Sequence, residues 1–130
     1  MWVYEQDTGW LCYAGARIAK GYAGAPAFIN AYAAQERHNL GPLPRGTYLM
    51  EAAIKHPHLG PDAIPLTPHP ENRMFGRSDF FIHGDNHAAP GNGSTGCICM
   101  PWATRQLLMT STDKALSAQL SPEARDGDNQ

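Results

Sequence analysis

Glycine and proline interrupt this chain so often that little of it can form a long helix. Its 130 residues include 13 glycines and 11 prolines, and both residue types end or bend regular elements. The segments between them are short, and several alternate apolar with polar residues, which is typical of strands. We therefore expect a mainly β (α+β) domain with one or two short helices.

The N-terminal part of the chain predicts strands joined by tight turns. The segment "WVYEQDTGWLCYA" alternates on both sides of Asp7, Thr8 and Gly9, which favours a β-hairpin. The segment "ARIAKGYAG" continues as a third short strand. The segment "APAFINAYAAQERHN" predicts a short helix or a structured loop.

Further along, strands are expected over residues 47 to 55, near residues 64 to 67, and in "DFFIHG" and "GCICM". Pro101 begins a segment whose first half is typical of a helix. We predict one domain over residues 1 to 120, followed by a polar tail over residues 121 to 130 that we expect to be disordered.

Charge and hydropathy exclude several function classes. A net charge of -2 without a cluster of Lys and Arg does not favour a nucleic-acid partner. Because no apolar run approaches about 18 residues, membrane insertion is not expected.

The first residues lack the basic and apolar segments of a Sec signal peptide. A role outside the cytoplasm would therefore need another route of delivery, or a signal segment that this sequence does not include. Three cysteines, an odd number, do not indicate a disulfide framework.

The densest chemistry lies between His83 and Cys99. His83 ends an apolar strand, and Cys97 follows Gly96, a residue that allows a sharp turn with N–H groups free to bind an oxyanion. An imidazole beside Cys97 would take the thiol proton and raise its thiolate fraction. On this hypothesis Cys97 should react with iodoacetamide faster than Cys12 and Cys99 near neutral pH.

Two other interpretations of these residues stay open. Cys97 can be a buried strand residue beside a histidine that bonds to backbone carbonyls, since free cysteine is often buried. The second alternative is a zinc site of His83, His87, Cys97 and Cys99. The C-x-C spacing is less usual for zinc, and the glycines and proline near the histidines do not favour a helix.

These motifs resemble a known enzyme family. "IHGDN" and "GNGSTGCICMPWATRQ", with "GPLPRGTYLM" upstream, resemble the signature of YkuD-like L,D-transpeptidases. The N-terminal hairpin and "GYAG" are similar to the small branch of type VI secretion L,D-transpeptidase effectors. The resemblance implies a YkuD-like, β-sandwich-type domain that forms an acyl-enzyme on cysteine. It implies no metal or cofactor.

Matched residue by residue, the resemblance implies that Cys97 is the nucleophile and His83 the general base. Gly96 and Cys97 match the oxyanion turn, and Ser94 matches a small hydroxyl residue of the motif. Gly84 follows the histidine and is expected beside the substrate.

Other positions concern the substrate more than the chemistry. Asp85 can orient an imidazole or cap its loop, and the cap is the favoured interpretation. Many relatives carry His where Thr95 stands, and Arg or Asn where Cys99 stands. We therefore expect Arg105 or Arg77 to supply the charge that meets a substrate carboxylate.

The implied substrate is the tetrapeptide stem of peptidoglycan, cleaved between its third residue and the terminal D-Ala. Water as acceptor gives an L,D-carboxypeptidase, whereas a D-amino acid or a stem amine gives an L,D-transpeptidase. The resemblance also implies an antibacterial toxin made in the cytoplasm, delivered by a secretion system to the periplasm of target bacteria, and opposed by a cognate immunity protein. The alternatives are a non-catalytic wall-binding module and a zinc-stabilised domain.

Overall fold

Short strands dominate the computed structural model, which describes residues 1–128. The order of elements along the chain is mainly β, as the sequence predicts, with two short α-helices near the C-terminus. The strands are β1 (Trp2–Glu5), β2 (Trp10–Tyr13), β3 (Ala16–Lys20), β4 (Tyr22–Ala23), β5 (Gly46–Met50), β6 (Ile54–His56), β7 (Gly60–Pro68), β8 (Phe80–His83), β9 (Ile98–Cys99) and β10 (Ala115–Gln119), and the helices are α1 (Trp102–Thr110) and α2 (Pro122–Asp128).

The strands form one mixed sheet whose two ends meet. Its order is β3-β2-β1-β10-β5-β7-β8-β9-β4, with β6 paired to β7 outside this path. Only Gly21 separates β3 from β4 in the chain, although they lie at opposite ends of the sheet, so the sheet must curl. The curl needs close backbone approach, because a β-carbon on Gly21 would lie 2.0 Å from the carbonyl oxygen of Cys99.

Parallel pairing occurs at two places in this sheet. Strand β1 runs parallel to β10, and β8 runs parallel to β9. The other paired strands are antiparallel, including the predicted hairpin of β1 and β2. The predicted mainly β class is therefore confirmed, and the parallel pair β8 and β9 carries the chemistry-bearing histidine and cysteine segment.

Several local predictions differ from the structure. Two short 3-10 helices, Pro26–Phe28 and Tyr32–Ala34, occupy the predicted short helix or loop. The strand predicted over 47 to 55 is broken, since β5 ends at Met50 and β6 begins at Ile54. Strand β7 is longer than the predicted 64 to 67 and starts at Gly60.

The tail is the largest local difference. Residues from Pro122 form α2, because Ser121 caps this helix: its Oγ accepts the Ala124 N–H at 3.2 Å and donates to the Asp7 carboxylate at 2.6 Å. The expectation of disorder is therefore wrong for residues 122 to 128. Residues 129 and 130 of the predicted tail lie outside the described residues, and the domain boundary at 120 stays a prediction.

One cluster of buried apolar side chains joins the strands to α1. Fully or nearly fully buried members of the cluster are Tyr4, Leu11, Leu43, Tyr48, Ile64, Ile82, Ile98, Leu108 and Leu116.

Both α-helices within residues 1–128 fall short of what a membrane span requires in length and hydropathy.

Candidate active site

His83 and Cys97 lie on neighbouring chain segments because β8 and β9 pair in parallel. The register aligns Ile82 with Ile98 and His83 with Cys99. Cys97 immediately precedes β9 and lies beside Phe81, whose backbone N–H donates to the Cys97 Sγ at 3.4 Å. The structure thus brings together the two segments that the sequence singles out.

The His83 imidazole is buried and held in one tautomer. Its side chain is 3% exposed, and Nδ1 lies 2.7 Å from the carbonyl oxygen of Gly84. Because a carbonyl only accepts, Nδ1 carries the proton and Nε2 keeps a lone pair. Burial is the main cause that lowers the pKa of His83 below its ordinary 6.5. The neutral imidazole is therefore the form present at pH 7, and Nε2 is able to accept a proton.

The Cys97 thiol does not have the depressed pKa that the sequence hypothesis requires. Burial raises its pKa to about 11, although the Phe81 N–H and the nearby Arg77 charge act in the opposite direction. The Sγ atom faces the backbone of β8, and within the described chain no hydrogen bond joins it to His83. The predicted thiolate–imidazole ion pair is absent from this conformation because the thiol is turned toward Phe81.

Ser94 fixes the turn that carries Cys97. Its hydroxyl accepts the N–H groups of Gly24 and Gly96, both at 3.0 Å, and donates to the carbonyl of Cys97 at 2.6 Å. Ser94 is therefore a positioning residue that joins this turn to the segment after β4. The Gly96 N–H is engaged by Ser94 and so is not free to act as one of the two predicted oxyanion donors.

Gly96 occupies a place that other residues cannot enter. Its φ of +146° is rarely adopted by L-residues, and a β-carbon there would lie 2.5 Å from a guanidinium nitrogen of Arg77. The same β-carbon would lie 2.9 Å from the ring of Phe80. The glycine of the motif thus lets the turn pass directly over Arg77.

Arg77 is buried and engaged by the backbone. Its guanidinium donates to the carbonyls of Gly41 and Pro42, both at 2.8 Å, to that of Thr95 at 3.4 Å, and to that of Gln35. Burial lowers its pKa. This arrangement favours a structural role over the predicted contact with a substrate carboxylate.

The model of the Tlde1 domain matches residues 17–120, which include β8, the Ser94 turn, β9 and α1. The chain belongs to the Tlde1 domain family. By its name this is a family of type VI secretion L,D-transpeptidase effectors. A search of curated proteins found no match. The wider YkuD-like resemblance stays a prediction.

Arg105 of this Tlde1 domain differs from Arg77, because one nitrogen of its guanidinium group lies beside the histidine loop. Nε donates to the carbonyl of Met100 at 3.3 Å, and Nη1 donates to those of Pro61 and Asp62 at 3.0 and 3.3 Å. Nη2 points toward Gly84, where an added β-carbon would lie 3.0 Å away. Arg105 therefore remains the better candidate to meet an anionic group beside the histidine loop.

Asp85 organises the loop that follows His83. Its carboxylate accepts the hydroxyl of Tyr22 and the N–H groups of Asn86 at 2.7 Å and Gly91 at 3.0 Å. Although burial acts in the opposite direction, these bonds lower the pKa of Asp85. No hydrogen bond between Asp85 and the His83 imidazole occurs within residues 1–128, so the geometry favours the loop-capping interpretation.

The zinc alternative does not fit this geometry. Among residues 1–128, no group of three or more His, Cys, Asp and Glu side chains is placed to hold a metal ion. His87 is exposed on the loop, whereas Cys99 is buried. His83, His87, Cys97 and Cys99 therefore do not form the predicted four-ligand site.

Cavities open on both sides of the candidate pair. Thr95, Gly96 and Cys97 line one of about 320 Å³ together with His38, and His83, Gly84 and Asp85 line another of about 330 Å³. His38 was missed by sequence reasoning, because its segment lies far from the motif in the chain and carries no local signal. The carbonyl of Phe75 holds its Nε2 at 2.6 Å.

Proposed function

We propose that this domain is a cysteine acyltransferase that acts on the tetrapeptide stems of peptidoglycan. It removes the terminal D-Ala, as an L,D-carboxypeptidase, or exchanges it, as an L,D-transpeptidase. The observation that supports this most directly is the parallel pairing of β8 with β9, since it sets Cys97 and a neutral His83 on adjacent segments inside a Tlde1 domain. The chemistry needs no metal or cofactor.

The first step activates the thiol. The Cys97 side chain turns from the Phe81 N–H toward His83, and Nε2 takes the Sγ proton as sulfur attacks the carbonyl carbon before D-Ala. Because burial raises the thiol pKa to about 11, general-base catalysis fits this site better than a resting ion pair.

The remaining steps follow from the same two residues. The carbonyl π electrons move to oxygen, and the N–H of Cys97 donates to the oxyanion. The C–N bond then breaks as His83 returns its proton to the leaving amine of D-Ala, which leaves a thioester on Cys97. In the second half, Nε2 deprotonates the acceptor, which attacks the thioester carbonyl and releases the thiol.

The acceptor determines the product. Water regenerates the enzyme and gives a tripeptide stem, a D-amino acid gives an exchanged stem, and the amine of another stem gives a cross-link. Gly84 and Asp85 line the cavity beside His83, and Thr95 lines that beside Cys97, so these residues flank the stem. Arg105 meets a carboxylate of the substrate.

The biological role follows from the family. As a type VI secretion effector of the L,D-transpeptidase kind, the protein acts in the periplasm of target bacteria, where it depletes tetrapeptide donors. A producing cell then needs a cognate immunity protein.

Purified disaccharide-tetrapeptide tests the proposal, with release of D-Ala followed by mass spectrometry. Cys97→Ala should lose at least about a thousandfold in turnover, and His83→Ala about a hundredfold or more. Cys99→Ala is the matched control, because it removes the other thiol of the same segment, and it should retain most of the turnover. A chelator should have no effect.

The outcomes separate the alternatives. Turnover that survives in Cys97→Ala rejects the nucleophile, and equal losses in Cys97→Ala and Cys99→Ala indicate damage to the fold. Folded wild-type protein that binds stems but releases no D-Ala, with water, D-amino acids or stems as acceptors, supports a non-catalytic wall-binding module.

A further inference from the structure

A second concave surface lies next to the histidine loop. Its volume is about 610 Å³, nearly twice that of the cavity beside Cys97. The N-terminal turn of α1 forms one side, and the start of β7 forms the other. We call it the Trp102 groove, and its lining residues include Lys20, Leu59, Pro61, Gly84, Asp85 and Trp102.

The indole of Trp102 is exposed and yet held in place. Its side chain is 63% exposed, the largest value among the exposed large apolar side chains of residues 1–128. Nε1 donates to Oδ2 of Asp62 at 3.2 Å, and the amide of Gln106 donates to the same oxygen at 2.9 Å. An exposed aromatic ring with a fixed orientation offers a flat apolar face at little cost in side-chain entropy.

Polar side chains line the same groove as this ring. Lys20 offers hydrogen-bond donors, and the Asp85 carboxylate, which already accepts three hydrogen bonds, retains an acceptor. Leu59, with Pro61, supplies apolar contact area. A flat apolar face next to both donors and acceptors matches a sugar ring, whose C–H face is apolar and whose hydroxyl and acetamido groups both donate and accept.

The groove is continuous with the proposed catalytic centre. Leu59, Gly84 and Asp85 line both the Trp102 groove and the cavity that contains His83. In the proposed substrate the attacked bond follows the third stem residue, and three extended residues span at most about 11 Å. The sugar that carries the stem therefore lies within reach of a surface that adjoins His83.

We propose that the Trp102 groove binds the glycan of the peptidoglycan substrate, with one pyranose ring stacked on the indole of Trp102. The identity of this glycan rests on the proposed function, but binding of a saccharide to the groove does not require catalysis. Through this site the domain recognises the sugar as well as the stem peptide.

A binding experiment tests the site without any turnover. A tetramer of N-acetylglucosamine is titrated into the full chain, and affinity is measured by calorimetry and by intrinsic tryptophan fluorescence. Trp102→Ala should weaken binding about tenfold or more, and Trp102→Phe should recover part of it, since a smaller ring still stacks. Leu107→Ala, which removes an exposed apolar side chain of the same helix outside the groove, should bind as the wild type does.

A kinetic experiment links the site to the substrate. We expect the wild-type kcat/KM to be about tenfold higher for disaccharide-tetrapeptide than for the free tetrapeptide. In Trp102→Ala the ratio should fall toward one, whereas Leu107→Ala should keep it.

The two proposals fail in different ways. Saccharide binding that depends on Trp102, in a protein without turnover, rejects the proposed reaction and supports the groove. Turnover with the same kcat/KM for both substrates, together with no saccharide binding by the wild type, overturns the groove and supports the reaction. Saccharide binding that is equal in Trp102→Ala and the wild type also overturns the proposed saccharide site. The exposed indole would then indicate a surface that binds a protein partner.

Discussion

His83 is the register partner of Cys99, and not of Cys97, in the parallel ladder between β8 and β9. Cys99 is 2% exposed, and burial raises its pKa to about 12. Cys97 lies two residues before that level, roughly 6.6 Å along the strand at about 3.3 Å per residue. The half-buried Cys97 thiol and the proposed base are thus displaced along the strands, so the Cys97 side chain must turn to reach His83 in the proposed mechanism.

Alkylation of Cys97 should therefore be slow at neutral pH. A pKa of about 11 leaves its thiolate fraction at pH 7 roughly two orders of magnitude below that of a free thiol. In a chain with Cys12→Ala and Cys99→Ala, the rate of iodoacetamide labelling should rise with pH and half-saturate near 11. Mass spectrometry of quenched samples gives this rate.

His83→Ala in the same background is the control for an ion pair. Because the resting thiol faces Phe81, this change should leave the midpoint of labelling almost unaltered. A labelling rate that already levels off near pH 7, and falls in His83→Ala, would show that the thiolate–imidazole pair predicted from the sequence does form in solution.

Activity should persist into mildly acidic solution. The proposed base is His83, whose pKa lies below the ordinary 6.5 mainly because of burial, with the charges of Arg105 and then His56 adding to the effect. As pH falls through this lowered pKa, His83 gains a proton and kcat/KM for D-Ala release should drop tenfold per pH unit. Above it, kcat/KM should stay level to about pH 10, because the thiol remains protonated.

His56→Gln tests the electrostatic part of this prediction. The amide keeps a hydrogen-bond acceptor for the turn after β6 but cannot carry a positive charge. The acidic limb of the profile should then move to higher pH, while the level of the plateau stays similar. An acidic limb above pH 6.5 in the wild type would contradict a buried, neutral His83 as the base.

Local patterns explain why much of the fold could be predicted. The hairpin of β1 and β2, and the strands β8 and β9, depend on alternation and turn residues that adjoin each other in the sequence. Strand β10 was missed, since its parallel pairing with β1 joins opposite ends of the chain. The curl of the sheet depends likewise on the contact of Gly21 with Cys99, which no local pattern indicates.

The candidate site likewise has some features that local sequence patterns predict and others that they do not. The pairing of the His83 and Cys97 segments could be predicted, because each strand and its flanking glycine are evident in the sequence. Burial of the Cys97 thiol, the three hydrogen bonds of Ser94 and the carbonyls around Arg77 could not. The Ser94 bond to the Gly24 N–H and three of the four carbonyls around Arg77 come from residues 24 to 42, a segment that is distant in the chain and meets the motif only in the folded protein.

Arg77→Lys should destabilise the domain more than it alters substrate recognition. The guanidinium reaches four backbone carbonyls, and one ammonium group cannot replace this planar fork. With two or more buried carbonyls left unpaired, the free energy of unfolding should fall by about 2–4 kcal/mol. Urea denaturation followed by circular dichroism measures this loss.

Arg37→Lys is the matched control for this change. Arg37 is exposed and lies over the ring of Phe28, 5.2 Å from its centroid, so its replacement should change the free energy of unfolding by no more than about 0.5 kcal/mol. The KM of folded Arg77→Lys for disaccharide-tetrapeptide, measured well below its melting temperature, separates the two roles of Arg77. Unchanged stability with a KM raised about tenfold or more would assign Arg77 to the substrate carboxylate after all. Lost stability with a KM close to that of the wild type would indicate that Arg105, and not Arg77, contacts the substrate carboxylate.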